Sequence, residues 1–268
     1  MTTHPYTRYV AIGDSQTEGI GDGDEATGYR GWADRLAELL AEAQPDLTYA
    51  NLAVRGKLTA QIKAEQLAPA LTLKPDLVTV VAGMNDLLRP GFDADQVMAD
   101  IEEMFARLTE AGAQVATVTY PNMGELSPLT RRALPRVLDL NTRLRTAADR
   151  YGVAVLDVFP HPVTTDPRLW SQDRIHASPL GHTRIASGMA HTLGLPGHED
   201  WSAPLPPLAP VPALRTLTAD ARWALGFLGP WLWRRLRGRS SGDGRTAKRP
   251  ELTPWTDPWT DQATDLRP

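Results

Sequence analysis

A serine, a histidine and an aspartate in this sequence have the types and order that nucleophilic acyl transfer requires. Ser15 stands in the stretch AIGDSQTEG, and His176 follows Asp173 by three positions in DRIH. In acyl transfer, a histidine removes the hydroxyl proton of a serine, and an acid fixes the tautomer of that histidine. One tight turn would bring the Asp173 carboxylate to Nδ1–H of His176 and leave Nε2 facing Ser15. Taken alone, this stretch favours Ser15 as a helix N-cap, so a role as nucleophile depends on the rest of the chain.

Three groups are candidate donors for the oxyanion that forms in such a reaction. Ser15 offers its own backbone N–H, and Gly56, in NLAVRG, has no Cβ to keep its N–H away from a ligand. Asn85, in GMND, offers a side-chain amide, although an asparagine after a glycine is also a common turn residue. We interpret Asp14 and Asp86 as structural, because no step of the mechanism needs a second acid there.

His176 is the best candidate base among the six histidines. Asp166, the rival to Asp173 as its partner, is followed by a proline and is interpreted as a turn residue. The other histidines lie in flanking segments, in the last predicted helix, or on a loop without an acid three or four residues earlier: His4, His161, His182, His191 and His198.

Short apolar runs alternate with amphipathic stretches over the first 190 or so residues. Strands are predicted at about Tyr9–Gly13, Leu47–Ala53, Leu77–Ala82, Gln114–Tyr120 and Ala154–Val158. One of the intervening stretches places its apolar residues at helical spacing: Val97, Ile101, Met104, Phe105 and Leu108. This alternation predicts a three-layer α/β domain around a five-stranded parallel sheet. Such sheets bind ligands at the carboxyl ends of their strands, which is where the candidate residues stand.

The motifs GDSQTEG, NLAVRG, GMND and DRIH, in this order, resemble the four sequence blocks of the SGNH (GDSL-type) hydrolases. The resemblance covers roughly residues 8–192. It implies a flavodoxin-like α/β/α sandwich and a serine esterase or lipase that cleaves a carboxylic ester. No cofactor is expected, and no metal, because this edge offers one good histidine and scattered acids.

At the matching positions, the resemblance makes Ser15, Asp173 and His176 a catalytic triad. The oxyanion hole would consist of the Ser15 and Gly56 N–H groups and the Asn85 side chain. The first block departs from the family pattern at Gln16, where the family has leucine. We expect this position to carry no chemistry.

Composition excludes several other classes of site and partner. The chain of 268 residues has no cysteine, which excludes disulfides, thiolate metal sites and a cysteine nucleophile. Its net charge is −4, although residues 201–268 hold ten Lys and Arg against six Asp and Glu. The remaining, acidic part of the chain disfavours nucleic acid as a partner. No secretory signal precedes the first strand, so we expect a cytoplasmic protein.

The character of the chain changes after about residue 195, which predicts a catalytic domain of residues 1–195 and an appended region of residues 196–268. The stretch LPGHEDWSAPLPPLAPVP predicts an extended linker. Residues 213–239 are rich in Trp and Arg and predict an amphipathic helix or helix pair. Such a segment suits a peripheral membrane contact, an intersubunit contact or docking on the catalytic domain. The polar end, from Ser240 onward, is predicted to be disordered.

Loops after the strands carry candidates for the substrate pocket. Leu87, Leu88, Met123 and Trp170 indicate a partly apolar pocket for a short to medium acyl chain, and Arg89 is a candidate to meet an anionic group. The glycine-rich stretch GIGDGDEATG holds three acids, which would repel phosphate, and is interpreted as a flexible rim. The predicted partner is a small-molecule ester. Acyl transfer to a sugar or other alcohol, and a non-catalytic scaffold with the tail as interaction module, remain alternatives.

Overall fold

Strands and helices alternate along most of the chain. The structure, a computed structural model, describes residues 6–126, 130–208, 223, 226–227, 229 and 240–256. The strands are β1 (Arg8–Gly13), β2 (Gly23–Asp24), β3 (Gly28–Tyr29), β4 (Thr48–Asn51), β5 (Leu77–Val81), β6 (Gln114–Val118), β7 (Ala154–Leu156) and β8 (Arg249–Pro254). The α-helices are α1 (Ser15–Glu18), α2 (Trp32–Ala43), α3 (Thr59–Ile62), α4 (Ala68–Thr72), α5 (Met84–Leu87), α6 (Ala94–Glu110), α7 (Met123–Leu126), α8 (Leu134–Tyr151) and α9 (Pro179–Thr192). A π-helical turn (Lys63–Leu67) and three 3-10 turns complete this set: Thr130–Ala133, Pro162–Thr165 and Pro167–Leu169.

Six strands form the main sheet in the order β7, β6, β5, β1, β4, β8. The five strands from β7 to β4 are parallel, and Val10 in β1 pairs with Ala50 of β4 on one side and Val78 of β5 on the other. This order of parallel strands is that of a flavodoxin-like sheet. The predicted parallel sheet and three-layer architecture are therefore confirmed.

The sixth strand comes from the tail, so the prediction of a disordered end is wrong for residues 240–256. β8 runs antiparallel to β4 and extends the edge of the sheet. Pro250 and Pro254 are tolerated there because an edge strand leaves some of its N–H positions unpaired. Of its residues, Leu252 packs against the core, and Trp255 follows just beyond the strand end. The other residues of β8 are polar or exposed, and for that reason the composition of this segment suggested disorder.

Helices cover both faces of the sheet. On one face α2 packs against α9, and Trp32, Leu36 and Met189 are buried between these helices and the strands. On the other face α6 packs against α8, with Phe105 and Leu140 fully buried. The sheet is thus covered on both sides, which explains why its central strands are continuous apolar runs.

The helix α6 follows the predicted pattern closely. Asp93 caps it, because its carboxylate accepts hydrogen bonds from the N–H groups of Asp95 and Gln96. Gly112, in the left-handed region, follows its end. All the apolar residues placed on one face by the sequence pattern are buried: Val97, Ile101, Met104, Phe105 and Leu108.

The segment predicted as an extended linker begins on the surface of the catalytic domain. Trp201 is buried in the same cluster as Leu156 and Met189, and its ring lies 4.7 Å from that of His161. Arg184 of α9 donates hydrogen bonds to the carbonyl oxygens of residues 200 and 201. The packed part of the chain therefore extends past residue 195.

Residues 213–239, predicted to form an amphipathic helical segment, lie outside the described residues except for positions 223, 226, 227 and 229. In the part of the chain that the structure describes, no helix combines the length and the apolar character needed to cross a membrane. The predicted membrane or intersubunit contact of this segment stays a prediction.

Candidate active site

The carboxyl ends of four parallel strands meet at one edge of the sheet, and the predicted site residues follow them. Ser15 begins α1 after β1, Gly56 follows β4, and Asn85 lies in α5 after β5. Since β1 lies between β4 and β5, Ser15 is flanked by the other two. The long loop after β7 brings Asp173 and His176 to the same edge. This is the place where open α/β sheets bind ligands.

Ser15, His176 and Asp173 form a continuous row of hydrogen bonds. The Ser15 hydroxyl oxygen lies 2.9 Å from Nε2 of His176, and Nδ1 of His176 lies 2.6 Å from Oδ2 of Asp173. The side chains of His176 and Asp173 are mostly buried, with 17% and 20% of their surface exposed. The structure therefore brings together residues that are 161 positions apart in the chain.

The Asp173 carboxylate is held by its own loop. Oδ1 accepts hydrogen bonds from the Ser171 hydroxyl (2.6 Å) and from the backbone N–H groups of Ile175 (2.9 Å) and His176 (3.0 Å). Burial alone would raise the pKa of Asp173, but the hydrogen bonds and the charge of His176 outweigh burial and hold this pKa well below its usual range. Asp173 is therefore ionised at neutral pH and accepts the Nδ1–H of His176.

Asp14, rather than Ser15, caps the helix α1. Its carboxylate accepts a hydrogen bond from the backbone N–H of Gln16 (3.2 Å), which leaves the Ser15 hydroxyl directed at His176. Asp14 is 3% exposed. Burial raises the pKa of its carboxyl to about 6, against the opposing effect of the hydrogen bonds from Gln16 and Asn85. The N-cap that the sequence suggested for Ser15 belongs to its neighbour.

Gly56 lies in a tight loop directly after β4. Its φ is +75°, in the left-handed region that favours glycine. A Cβ at this position would also lie 2.3 Å from the hydroxyl oxygen of Ser240, which packs against the loop. The left-handed conformation therefore favours glycine here, and a larger residue would also have to displace the Ser240 hydroxyl.

The Asn85 amide lies between the Ser15 turn and the Gly56 loop. Its Nδ2 donates to Oδ2 of Asp14 (3.0 Å) and to the carbonyl oxygen of Lys57 (3.1 Å). The neighbouring Asp86 accepts from the backbone N–H and hydroxyl of Thr59 at the start of α3. The turn after β5 is thus fixed to both other strand ends.

Gln16, a position expected from the sequence to carry no chemistry, contacts the chain on both sides of His176. Its Nε2 donates to the carbonyl oxygen of Ile175 (2.9 Å), and its Oε1 accepts from the N–H of Ala177 (3.2 Å). The expectation that this position carries no chemistry stays a prediction, but the side chain belongs to the framework around the histidine. An amide that can donate and accept, placed directly after Ser15, was the signal available in the sequence.

A buried ion pair between Glu18 and Arg55 was also missed, although both residues lie inside the motifs GDSQTEG and NLAVRG. The Glu18 carboxylate accepts from Nε of Arg55 (2.9 Å) and from its backbone N–H (2.6 Å). Only about a tenth of each side chain is exposed. Burial would lower the pKa of Arg55, but the partnership with Glu18 raises it overall. This pair joins the helix of Ser15 to the loop of Gly56.

An apolar cavity of about 300 Å³ lies beside the Ser15–His176 pair. The residues adjoining the pair, Gln16 and Ile175, form part of its wall. Its other walls include Met84, Leu88, Tyr120, Val163, Trp170 and Trp223. The cavity therefore offers an apolar space next to the residues that flank Ser15 and His176 in the chain.

Two of the five predicted pocket residues, Leu88 and Trp170, line this cavity. Leu87 does not line it, because the turn of α5 directs this side chain into the core, where it is 1% exposed. Arg89 does not line it either; it follows α5, and its carbonyl oxygen accepts a hydrogen bond from Arg136. The side chain of Met123 lies outside the described part of the structure.

Trp223, from the region that the sequence set apart as an appendage, forms part of the cavity wall. Its Nε1 donates to the carbonyl oxygen of Asp173 (2.7 Å). The guanidinium of Arg174 lies 5.2 Å from the Trp223 ring centroid, within the range of a cation–π contact. At least this residue of the tail region therefore contacts the turn that carries the aspartate and histidine.

The glycine-rich rim forms the short hairpin of β2 and β3. Gly21 packs against the carbonyl oxygen of Ala177, next to His176, where a Cβ would lie 2.1 Å from that oxygen. Glu25, between the two strands, pairs with Arg55 and Arg245 (both 2.8 Å). The rim is thus bound to the site by specific contacts.

Comparisons with known proteins agree with the fold and with the family that the sequence blocks indicated. The model of the GDSL-like Lipase/Acylhydrolase family matches residues 11–184. An arylesterase from Vibrio mimicus is 27% identical over 191 residues, which are 69% of this chain and 88% of that protein.

Solved structures with the same fold include an acetylxylan esterase and TesA. The acetylxylan esterase Axe2 from Geobacillus stearothermophilus matches with a TM-score of 0.60 at 18% identity, over 72% of this chain and 97% of that chain. TesA matches with a TM-score of 0.57 at 24% identity, over 70% of this chain and 98% of that chain. Forms of Axe2 with alanine in place of a histidine, a serine or an aspartate are described as catalytic mutants of that enzyme.

The sheet order and the family match together define an α/β hydrolytic enzyme of the kind that the sequence blocks indicated. The match over residues 11–184 covers more than half of the chain. The chain therefore belongs to the GDSL-like lipase/acylhydrolase family and is a carboxylic ester hydrolase. The resemblance to the SGNH (GDSL-type) hydrolases is confirmed.

Proposed function

We propose that the protein hydrolyses a carboxylic ester through an acyl-enzyme formed on Ser15. The observation that carries this proposal is the row of hydrogen bonds from Ser15 through His176 to Asp173, at 2.9 and 2.6 Å. An ionised Asp173 accepts a hydrogen bond from Nδ1–H of His176, which fixes the tautomer that leaves Nε2 able to accept the serine proton. This is the geometry that general-base activation of a serine requires.

In the first step, Oγ of Ser15 attacks the ester carbonyl carbon while its proton moves to Nε2 of His176. The carbonyl oxygen becomes an oxyanion, for which we propose three donors. Ser15 is the first residue of α1, so its backbone N–H has no partner inside the helix. The Gly56 N–H is the second donor and the Asn85 amide is the third. To donate to the oxyanion, the Asn85 amide would break one of its two present hydrogen bonds. These bonds go to the Asp14 carboxylate and to the Lys57 carbonyl oxygen.

Collapse of the tetrahedral intermediate breaks the bond to the leaving oxygen. The His176 imidazolium gives its proton to this oxygen, so an alcohol leaves and the acyl group stays on Ser15 as an ester. A water molecule then transfers a proton to Nε2 and attacks the acyl carbon. The carboxylic acid is released and Ser15 regains its proton. Asp173 remains ionised throughout.

The cavity suits an ester with an apolar acyl part. Its volume of about 300 Å³ is at the lower end of the range for small-molecule pockets, so we propose a short to medium acyl chain. Leu88, Trp170 and Trp223 would contact this chain. A panel of esters that varies acyl length at a constant leaving group tests this. A steady rise in kcat/KM up to long chains would contradict it.

The test of the nucleophile is Ser15→Ala. We expect this variant to fold and to lose ester turnover by several orders of magnitude, because the remaining groups cannot form an acyl-enzyme. A fluorophosphonate probe should label the wild-type protein at Ser15 and fail to label the variant. Ser187→Ala, on α9 and outside the site, is the matched control and should keep both properties. Labelling or turnover at the wild-type rate in Ser15→Ala would overturn the assignment.

The proposed oxyanion role of Asn85 has its own test. Removal of one such donor typically lowers kcat by about 10²–10³-fold, so we expect a loss of this size in Asn85→Ala. An effect on KM alone would remove Asn85 from the oxyanion hole, because a donor to the oxyanion acts in the transition state.

A further inference from the structure

Residues 240–248, here called the strap, lie against the loop that carries Gly56. The strap continues directly into β8, which pairs with β4, the strand that leads into this loop. We propose that the strap positions Gly56 so that its backbone N–H points into the oxyanion hole. This inference rests on the oxyanion role of Gly56 in the proposed function. Residues of the strap would thus be positioning residues that act through Gly56.

Two residues of the strap contact the backbone of Arg55 and Gly56. The Ser240 hydroxyl donates to the carbonyl oxygen of Gly56 (3.3 Å) and accepts from the N–H of Gly242 (3.2 Å). Gly242 is buried and packs on the carbonyl oxygen of Arg55. A Cβ on Gly242 would lie 2.0 Å from that oxygen, so only glycine allows this approach.

Contact with the Arg55 carbonyl fixes the direction of the Gly56 N–H, because the two groups belong to the same peptide unit. That unit is planar and trans, so its C=O and N–H point in opposite directions. With Gly242 packed on the oxygen side, the hydrogen is directed away from the strap. Gly56 on its own has wide freedom of φ and ψ. The contacts with the strap restrict the orientation of this peptide unit, which the glycine itself does not restrict.

Two cations bind the strap to the elements around Ser15. Nζ of Lys248 donates to the carbonyl oxygen of Glu18 (2.6 Å), at the end of α1, and to the carboxylate of Asp34 (2.5 Å), in α2. Arg245 pairs with Glu25 (2.8 Å), which also pairs with Arg55. The strap is therefore attached both to the helix of Ser15 and, through Glu25 and Arg55, to the loop that carries Gly56.

The sharpest test is Gly242→Ala. The φ of Gly242 lies outside the left-handed region, so the backbone admits alanine and the variant acts only through the clash with the Arg55 carbonyl. Gly91→Ala is the matched control, since Gly91 also has a permissive φ and a Cβ there would meet nothing within 4 Å. The measurements are kcat and KM on one ester, affinity for a boronic acid that mimics the tetrahedral intermediate, and hydrogen exchange of residues 52–58.

We expect Gly242→Ala to lower kcat about tenfold or more, with KM within about twofold of wild type, because the oxyanion donors act in the transition state. Affinity for the boronic acid should fall by a similar factor, and the amides of residues 52–58 should exchange faster. Gly91→Ala should match the wild type in all three measurements. A wild-type kcat in a folded Gly242→Ala would overturn the proposal, as would a loss of kcat with unchanged boronic acid affinity.

If Gly242→Ala does not fold, a second pair of variants tests whether the strap positions Gly56. Ser240→Ala removes the hydrogen bond to Gly56, whereas Ser240→Thr retains the hydroxyl. We expect a severalfold lower kcat in the first and recovery in the second; equal, wild-type kcat in both would overturn the proposal. A wild-type protein that neither cleaves esters nor reacts at Ser15 would contradict the proposed function instead. Hydrogen exchange of residues 52–58 would still report on the strap in that case.

Discussion

At the scale of single residues, the proposed mechanism depends on how the loop of His176 is held. The Asp173 carboxylate binds this loop from one side through the N–H groups of residues 175 and 176, and Gln16 binds it from the other. Between them, Arg174 has a φ of +57°, a left-handed conformation that costs a non-glycine residue free energy. Such a loop keeps its shape only if several contacts impose it, and Gln16 provides two of them.

Gln16→Met therefore tests whether the loop needs this amide. Methionine has a similar length but cannot donate to the Ile175 carbonyl or accept from the Ala177 N–H. Because small displacements of a catalytic group cost up to about 10²-fold in rate, we expect kcat to fall roughly tenfold with a small change in KM. The measurement is steady-state kinetics on one ester, together with the rate of fluorophosphonate labelling at Ser15.

The control for this prediction is Gln172→Met, the same substitution at an exposed glutamine on the loop of His176. It should leave kcat and the labelling rate near wild type. If Gln16→Met labels and turns over as fast as Gln172→Met does, the amide has no positioning role. A parallel loss in both variants would point to a general effect of methionine on this loop.

The sequence indicated which residues meet at the candidate site better than it indicated their other contacts. Ser15, Asp173 and His176 were singled out because each lies in a short motif, and the structure brings the three side chains within hydrogen-bond distance. Gln16 and Glu18 lie in the same motif as Ser15 and were passed over. Their roles come from partners far away in the chain, and a single sequence does not show which distant backbone groups a side chain will meet.

At the scale of elements, the strands buried on both faces were the most predictable part of the fold. The predicted strands at 77–82 and 114–120 correspond to β5 (Leu77–Val81) and β6 (Gln114–Val118), because a continuous apolar run bounded by turn residues has few other stable conformations. β8 was missed because an edge strand buries few side chains. Its formation depends on pairing with β4, and backbone pairing leaves little trace in composition.

The attachment of β8 and the strap can be tested at Lys248. Its Nζ contacts the carboxylate of Asp34, of which only 4% is exposed, whereas 22% of the Lys248 side chain is exposed. Lys248→Met would leave the buried Asp34 carboxylate without its cation, with only the hydrogen bonds from the Gly31 N–H and the Tyr49 hydroxyl. Breaking a buried ion pair typically costs about 3–5 kcal/mol, and the partial exposure of Lys248 reduces this to about 2–3 kcal/mol. Urea unfolding at pH 7 measures the free energy of unfolding.

Two further variants distinguish this effect from a general loss of charge. Arg143→Met breaks exposed ion pairs with Asp95 and Asp139 and should leave the free energy of unfolding close to that of the wild type. Adding Asp34→Asn to Lys248→Met removes the unpaired charge and should recover part of the loss. Equal stability of Lys248→Met and the wild type would show that the strap is not held by this contact.

At the scale of the whole molecule, the charge asymmetry seen in the sequence has a structural counterpart. The appended region carries excess positive charge and the body is acidic. In the described part of the chain, Arg245 pairs with Glu25 and Lys248 with Asp34, which are contacts between the appended region and the body. The sequence indicated two separate parts because their compositions differ. In the structure the appended region and the body are in contact, because their charges are complementary and the edge of the sheet is open to a further strand. The sequence pattern of a single segment does not show which distant segment it will pair with.

The stability of this assembly should decrease in mild acid because of His182, which lies where α9, α2 and the loop after α1 meet. This histidine is fully buried; its Nδ1 accepts from the N–H of Trp32 and its Nε2 donates to the carbonyl oxygen of Ile20, each at 3.1 Å. Burial lowers the pKa of His182 to about 4. The unfolded chain, with a histidine pKa near 6.5, therefore binds more protons than the folded one between pH 6.5 and 4.

Because of this difference, the contribution of His182 to stability is complete above pH 6.5 and is lost as the pH falls toward 4. A shift of this size corresponds to about 3 kcal/mol. We expect His182→Gln, which cannot take up a proton, to be less stable than the wild type at pH 7. The difference in free energy of unfolding between the two should then shrink as the pH is lowered to 5 and on to 4. Urea unfolding of both proteins over this range measures it, and a difference that stays constant with pH would show that His182 does not control the acid sensitivity of the fold.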